Sequence, residues 1–287
     1  MKKNNGLLFS LPVMLIVLVF FVYPLFDVFR MSFMEWTVIG SKKYIGFTNY
    51  LITFQEFEFW QSLGNTLIYA LMVTPMIFVP ALVAAILLKR TNTRNAILRT
   101  VFFIPCTISL VASSYIWNWL LNDSYGIVNY FLIRMNLIPQ GINWFSSTWS
   151  ARTIICISVA WKTFGFSMIF ILAGLSSISH DIYEAAEIDG CNKTRAFFSI
   201  TLPLVKPTLM LALILSIAGS FKGFDQFLIM TGGGPMRTTQ PIIMYINKVA
   251  FNAYDMGRSA AISVLFLLIL LFVSSQQIRL GGYHDEN

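Results

Sequence analysis

Charge is scarce in this sequence: Asp, Glu, Lys and Arg supply 11% of its 287 residues, where a soluble globular domain carries roughly 25%. So little charge lies outside the range of a water-soluble fold. Histidine occurs only at His180 and His284, and cysteine only at Cys106, Cys156 and Cys191. They stand apart, with no C-x-x-C and no Cys/His ligand spacing, so neither a disulfide nor a metal site is expected. A G-x-x-x-x-G-K-[ST] loop is missing as well. Lys162-Thr163 and Lys193-Thr194 have no glycine loop before them, and Gly232–Gly234 runs into Pro235, which reads as a flexible outer turn. With no cradle for phosphates, the chain is expected to hold no cofactor, to carry no catalytic residue and not to hydrolyse ATP by itself.

Apolar residues, by contrast, supply 56% of the chain and aromatics 15%. The aromatic content excludes disorder. The composition belongs in a membrane, where a helix of about 20 apolar residues crosses about 30 Å of hydrocarbon. Charge is absent from Asn4–Phe26, Phe59–Leu88, Thr100–Asn122 and Ser259–Ile278, while two further runs tolerate Lys162, and Lys222 with Asp225. The expectation is an all-α polytopic membrane protein, one domain over 1–287. Its six spans are placed at about 7–29, 66–88, 101–121, 153–175, 208–229 and 259–278. The first run, led by Lys2 and Lys3, has no small-x-small cleavage site and reads as a retained anchor rather than a signal peptide.

The net charge of +7 is spread between apolar runs, which fits orientation against a membrane and not a nucleic-acid surface. With the N-terminus inside, the cations divide almost evenly between the two sides. The short loop from Lys89 to Arg99 decides, because it holds Lys89, Arg90, Arg94 and Arg99 and no acid. Short loops near helix ends carry the positive-inside bias, so both termini are expected in the cytoplasm.

The connection at 177–206 is too regular for a plain loop. Asp181 followed by Glu184 resembles a capping box, good helix formers run to Ile188, and Gly190 sits where a left-handed residue would end the helix. Asn192 then caps a second short helix carrying Phe197, Phe198 and Ile200. Leu202-Pro203 is expected to break that helix, and Pro207 to open the next span. Glu184, Glu187 and Asp189 offer acids, and Ala185 and Ala186 permit close approach. Two readings stand: a protein docking surface, or an amphipathic linker on lipid, against which the acids count because an anionic leaflet repels them.

Glu184-Ala185-Ala186, then Asp189-Gly190, then Ile200-x-Leu202-Pro203 resembles the EAA signature of permease subunits in binding-protein-dependent ABC importers. Leu172-Ala173-Gly174-Leu175, Phe102-Phe103-Ile104-Pro105, Phe224-Asp225, Thr231-Gly232-Gly233-Gly234-Pro235 and Thr238 are similar to the first permease of the carbohydrate branch, the maltose and glycerol-phosphate type. Cys191 departs from the small residue usual after the glycine. The resemblance implies a type I ABC importer permease fold in a bacterial cytoplasmic membrane. Tyr183, Glu184, Ala185, Ala186, Asp189, Gly190 and Pro203 would belong to a coupling segment seated on a cytoplasmic ATPase. It also implies a second homologous permease completing a heterodimer, two ATPase subunits, a periplasmic or extracellular solute-binding protein and a carbohydrate substrate.

Pathway candidates come from polar groups inside spans, which face cavities or partners. Lys162 and Asp225 are placed to approach each other; alternatively Lys162 snorkels alone and Asp225 pairs with Lys222. Most tryptophans, among them Trp117, Trp119, Trp144 and Trp149, read as an interfacial belt. Trp161 and Phe224 beside the charges are the stacking candidates, and Asn65 and Asn118 bind hydroxyl groups or bridge helices. Gly219-x-x-x-Gly223 would permit close contact with the second permease. A different class of function, a self-sufficient secondary carrier or channel, would use Lys162 and Asp225 as its ion site.

Overall fold

Hydrocarbon offers a peptide group no partner, so a chain this poor in charge satisfies its backbone within helices. The computed structural model describes residues 5–37 and 42–280; Lys2 and Lys3, used in the orientation argument, lie outside them. After α1 (Phe9–Met31) come β1 (Met34–Glu35) and β2 (Lys43–Tyr44), an antiparallel ladder with Met34 opposite Tyr44 and Glu35 opposite Lys43. Then follow α2 (Thr48–Gln55), α3 (Phe57–Leu87), α4 (Thr93–Thr107), α5 (Leu110–Leu120), α6 (Ile127–Arg134) and α7 (Thr148–Ser176). The chain continues with α8 (His180–Ile188), α9 (Thr194–Ser220), α10 (Asp225–Met230), α11 (Ile242–Asn247) and α12 (Met256–Arg279). Among the described residues α1, α3, α7, α9 and α12 are long and apolar enough to cross a membrane, and α4 with α5 makes a sixth, bent candidate.

That pair occupies the stretch where a span over 101–121 is expected, and it is sharply bent: α4 and α5 meet at 99°. Ile108 and Ser109 are extended, and the Ser109 hydroxyl accepts the Ala112 N–H at 3.1 Å, capping α5. Pro105, in the last turn of α4, removes one more helical donor.

The expected break at Leu202-Pro203 does not occur; α9 runs through it from Thr194 to Ser220. Proline at 203 offers no N–H and crowds the carbonyl four residues back. The helix absorbs this in a π-turn at Phe197–Thr201, where the Leu202 N–H reaches the Phe197 carbonyl. The same device precedes Pro24 in α1, with the Tyr23 N–H on the Leu18 carbonyl. The wider turn lets a helix continue past a residue that has no N–H to give. Two limits also move. The second apolar helix starts at Phe57 rather than 66, and the fifth stops at Ser220, leaving α10 as a separate short helix.

The described chain forms two compact units. One comprises 1–61 and 242–271. Its small core is Tyr50, Ala261 and Val264 with Phe33 against them, and Asn49 Nδ2 donates to the carbonyls of Ser32 and Met34 at 3.0 and 2.9 Å. Around Glu56 gather the Arg258 guanidinium and the Tyr245 hydroxyl, and Lys248 pairs with Glu58 at 2.6 Å. Burial first, and the Glu56 carboxylate second, hold the Tyr245 phenol above its usual range, so it stays a donor at physiological pH.

The other unit comprises 62–241 and 272–287. Its core joins Ala81, Ala85 and Leu88 to Met168, Ile171 and Leu175 of α7 and to Val205, Leu209 and Ala212 of α9. Small residues bring these backbones close, as packing in lipid requires. At Gly165 of α7 an added Cβ would lie 2.1 Å from the Phe102 carbonyl oxygen of α4, whereas at Gly219 it would meet nothing within 4 Å. Gly165→Ala is therefore expected to destabilise the protein by about 1–3 kcal/mol through overpacking against backbone. Gly219→Ala should leave the thermal midpoint of the detergent-solubilised chain near that of the parent.

Candidate functional site

The segment after α7 is built from its caps outward. Ser179, not Asp181, is the N-cap of α8: its hydroxyl accepts the Asp181 N–H at 3.3 Å. Glu184 does not close a capping box; it takes His180 Nδ1 at 2.9 Å, one turn back on the exposed face. At the other end Gly190 has φ +77°, the Cys191 N–H reaches the Ala186 carbonyl at 2.9 Å, and the Gly190 N–H reaches Glu187 at 3.0 Å. This is a Schellman ending, and it needs the left-handed residue that glycine supplies without strain. Asn192 Oδ1 then accepts the Arg195 N–H at 2.8 Å and starts the next helix.

One side of α8 is tied down. Ala186 is buried, and Tyr183 is half-buried with its hydroxyl 2.9 Å from Thr201 Oγ1, inside the π-turn of α9. Lys89 Nζ donates to the same phenol oxygen at 3.1 Å. Arg99, from the same cationic loop, donates to the carbonyls of Leu88, Lys89 and Arg90, just past the end of α3. The opposite side is bare. Glu184, Ala185, Glu187 and Asp189 are exposed, and Ile188 is 87% exposed, an apolar tip among acids. Pro203 lies on α9 beyond the π-turn.

A second feature is a partly open cavity of about 440 Å³ lined by residues of α3, α4, α5, α7, α9 and α10 and by Lys222 and Gly223 between the last two. Phe166, Phe170 and Leu215 give it apolar wall; Lys162, Lys222, Tyr69 and Gln226 give it polar groups. Gln226 is 3% exposed, its Nε2 donates to Tyr69 Oη at 3.2 Å, and its Oε1 has no partner. Lys162 Nζ donates to the Cys106 carbonyl at 3.3 Å, a carbonyl in the last turn of α4 before the bend.

The pathway candidates scatter. Lys162 lines the cavity, but no ion pair joins it to Asp225, and none joins Asp225 to Lys222, so neither expected pairing forms among the described residues. Asp225 is the first residue of α10, where a helix N-terminus favours its charge. Phe224 holds the N-cap position of α10, half-buried and away from the cavity lining. Trp161 stands edge-on to Trp117 at 6.1 Å and lines a shallow groove with Met76 and Pro80 instead.

Asn65 is a staple: it donates to the carbonyls of Arg237 and Gln240 at 3.1 and 3.0 Å and accepts from Arg152 at 2.6 Å. Those bonds, with Arg152 on the Thr238 carbonyl at 2.8 Å and Thr231 on Thr239 at 2.9 Å, pin the glycine turn that the sequence suggests is loose. Asn118 holds the Ile229 carbonyl at 2.9 Å and borders a separate cleft with Tyr115 and Trp119. Gly223 packs within 2.8 Å of Gln226 for a would-be Cβ, an approach inside the chain. Tyr69 and Gln226 escaped notice because neither carries charge. The one available signal was a hydroxyl and an amide inside apolar runs.

The tie on α8 is testable. Tyr183→Phe removes both hydrogen bonds, each worth about 0.5–1.5 kcal/mol net. Amide exchange across His180–Gly190 should quicken about tenfold in that variant, and stay unchanged in Glu184→Ala.

With this geometry described, the likenesses to known proteins are specific. The profile of the family described as "Binding-protein-dependent transport system inner membrane component" matches residues 57–280. The trehalose/maltose transport system permease protein of Thermococcus litoralis is 34% identical over 99% of this chain and 96% of its own length. The sulfoquinovosyl glycerol transport system permease protein of Agrobacterium fabrum is 33% identical over 94% and 87%. A solved chain from a bacterial ABC transporter involved in the import of the acidic polysaccharide alginate superposes with TM-score 0.83 at 23% identity, covering 99% of this chain and 98% of that one.

Proposed function

Because this chain belongs to the family of binding-protein-dependent transport system inner membrane components, we propose that it is a permease subunit of an ATP-driven carbohydrate importer. The whole chain, 1–287, acts as one permease domain and forms half of the pore, with a second, similar permease supplying the other half. Two cytoplasmic ATPase subunits provide the energy, and a solute-binding protein delivers sugar to the outer mouth. The relatives named for trehalose and maltose and for sulfoquinovosyl glycerol support carbohydrate as the cargo.

The observation that carries the coupling is the two-sidedness of α8. A helix fixed by caps at both ends, tied through Tyr183 to Thr201, presents Glu184, Glu187, Asp189 and the bare Ile188 outward. An apolar tip ringed by acids suits a groove with an apolar floor and a cationic rim. Seated there, α8 passes ATPase movement through Tyr183 to the base of α9. Placing α8 and the Lys89–Arg99 loop in the cytoplasm, with both termini, follows the cation bias of that loop. The cavity beside Lys162 is this chain's share of the pathway.

A self-sufficient carrier using Lys162 and Asp225 as its ion site is the less favoured reading: the family and its relatives are importer permeases, and among the described residues no ion pair joins the two groups. Affinity purification is expected to bring down an ATPase and a second permease, and uptake should persist when ion gradients collapse while ATP is maintained. Glu184→Lys and Ile188→Asp are each expected to leave the chain in the membrane and lower ATP-driven uptake more than about tenfold, the scale of a lost interface anchor. Wild-type uptake in both variants would contradict the docking role.

A further inference from the structure

The cavity has a sign. Lys162 and Lys222 are its cations, and among the described residues no Asp or Glu lines it. Asp225, the nearest acid in sequence, is half-buried outside the lining and pairs with neither lysine. A cation inside a span is costly and persists where it meets a cavity, a partner or a ligand. The Cys106 carbonyl takes one of the three donors of Lys162, at 3.3 Å, and brings no negative charge to balance it.

Opposite chemistry sits in the same cavity. Gln226 Oε1, on a side chain 97% shielded from solvent, is an acceptor without a donor. Because Gln226 Nε2 donates to Tyr69 Oη, the Tyr69 proton is left to donate elsewhere. The site therefore offers a hydroxyl-accepting oxygen, a hydroxyl donor, apolar faces from Phe166 and Phe170, and two positive charges. Its volume of about 440 Å³ lies in the range of small-molecule sites.

We propose that the cargo passing this cavity is an acidic saccharide, one carrying a carboxylate, sulfonate or phosphate, with its anion held by Lys162 and Lys222 and a ring hydroxyl donated to Gln226. This rests on the importer reading above and names the substrate class within it. A neutral sugar would use Gln226 and the aromatic walls but would leave the Lys162 charge uncompensated.

The test uses the complete transporter in proteoliposomes, with its second permease, ATPases and binding protein, and ATP supplied to the ATPases. Uronate, sulfonate and phosphate sugars are offered beside neutral counterparts, the methyl esters or the parent sugars. An acidic sugar should be taken up at least about tenfold faster than its neutral counterpart, the discrimination one charged hydrogen bond supplies. Lys162→Gln should erase that preference, Lys222→Gln should weaken it from an exposed position with little risk to packing, and Lys162→Arg should keep it. The proposal is overturned if neutral sugars are the ones transported, if the double glutamine variant keeps the full preference, or if Lys162→Arg loses it as completely as Lys162→Gln. Absence of ATP-driven uptake for every saccharide is a different result, and it sinks the importer reading itself.

Discussion

A peptide group inside hydrocarbon must find its partner within the protein, and the irregular features of this chain answer to that constraint. Where α1 and α9 meet Pro24 and Pro203, a π-turn shifts the hydrogen bonding by one residue, and the helix continues. Where α4 stops short of α5, a lysine from α7 reaches one of the carbonyls in its last turn. At the end of α3 a single guanidinium serves the carbonyls of three successive residues. Several of the sparse cations thus stand at helix ends, where the backbone supplies partial negative charge. The cations of the Lys89–Arg99 loop, from which an orientation is argued, are in part cations that meet backbone carbonyls past a helix end.

The same economy appears at α8 and at the cavity. Lys89 belongs to the loop whose charges argue for the cytoplasmic side, and its ammonium lies 4.4 Å from the centre of the Tyr183 ring. Lys162 serves the bend between α4 and α5 and also faces the cavity. On the proposed importer reading, a substitution at either position would be felt in folding and in transport together, and the two effects separate only with a charge-preserving variant beside a neutral one.

Long apolar helices were legible because hydrocarbon excludes charge, and a run without Lys, Arg, Asp or Glu can be measured in the sequence alone. The acidic helix after α7 was legible from helix formers closed by Gly190, whose left-handed backbone is a local property. The 99° bend was not, because an apolar run does not record direction; Ser109 is one of several small polar residues there, and only its geometry makes it a cap. The role of Asn65 was hidden for another reason. Its acceptors lie 172 and 175 residues along the chain, and no local pattern announces such a partner. Proline at 203 misled in the opposite sense: the rule that it ends a helix is sound for a regular turn, and the π-turn before it changes the premise.

In α1 every side chain from Phe9 to Phe26 is exposed. Close-packed interiors constrain both the polarity and the shape of each residue; this stretch is constrained by its own chain in polarity alone. Leucine, valine and phenylalanine are interchangeable there as far as the rest of the subunit is concerned, so its sequence is free to drift among apolar residues. Any position where that drift proves intolerable would trace the outline of whatever molecule leans against it.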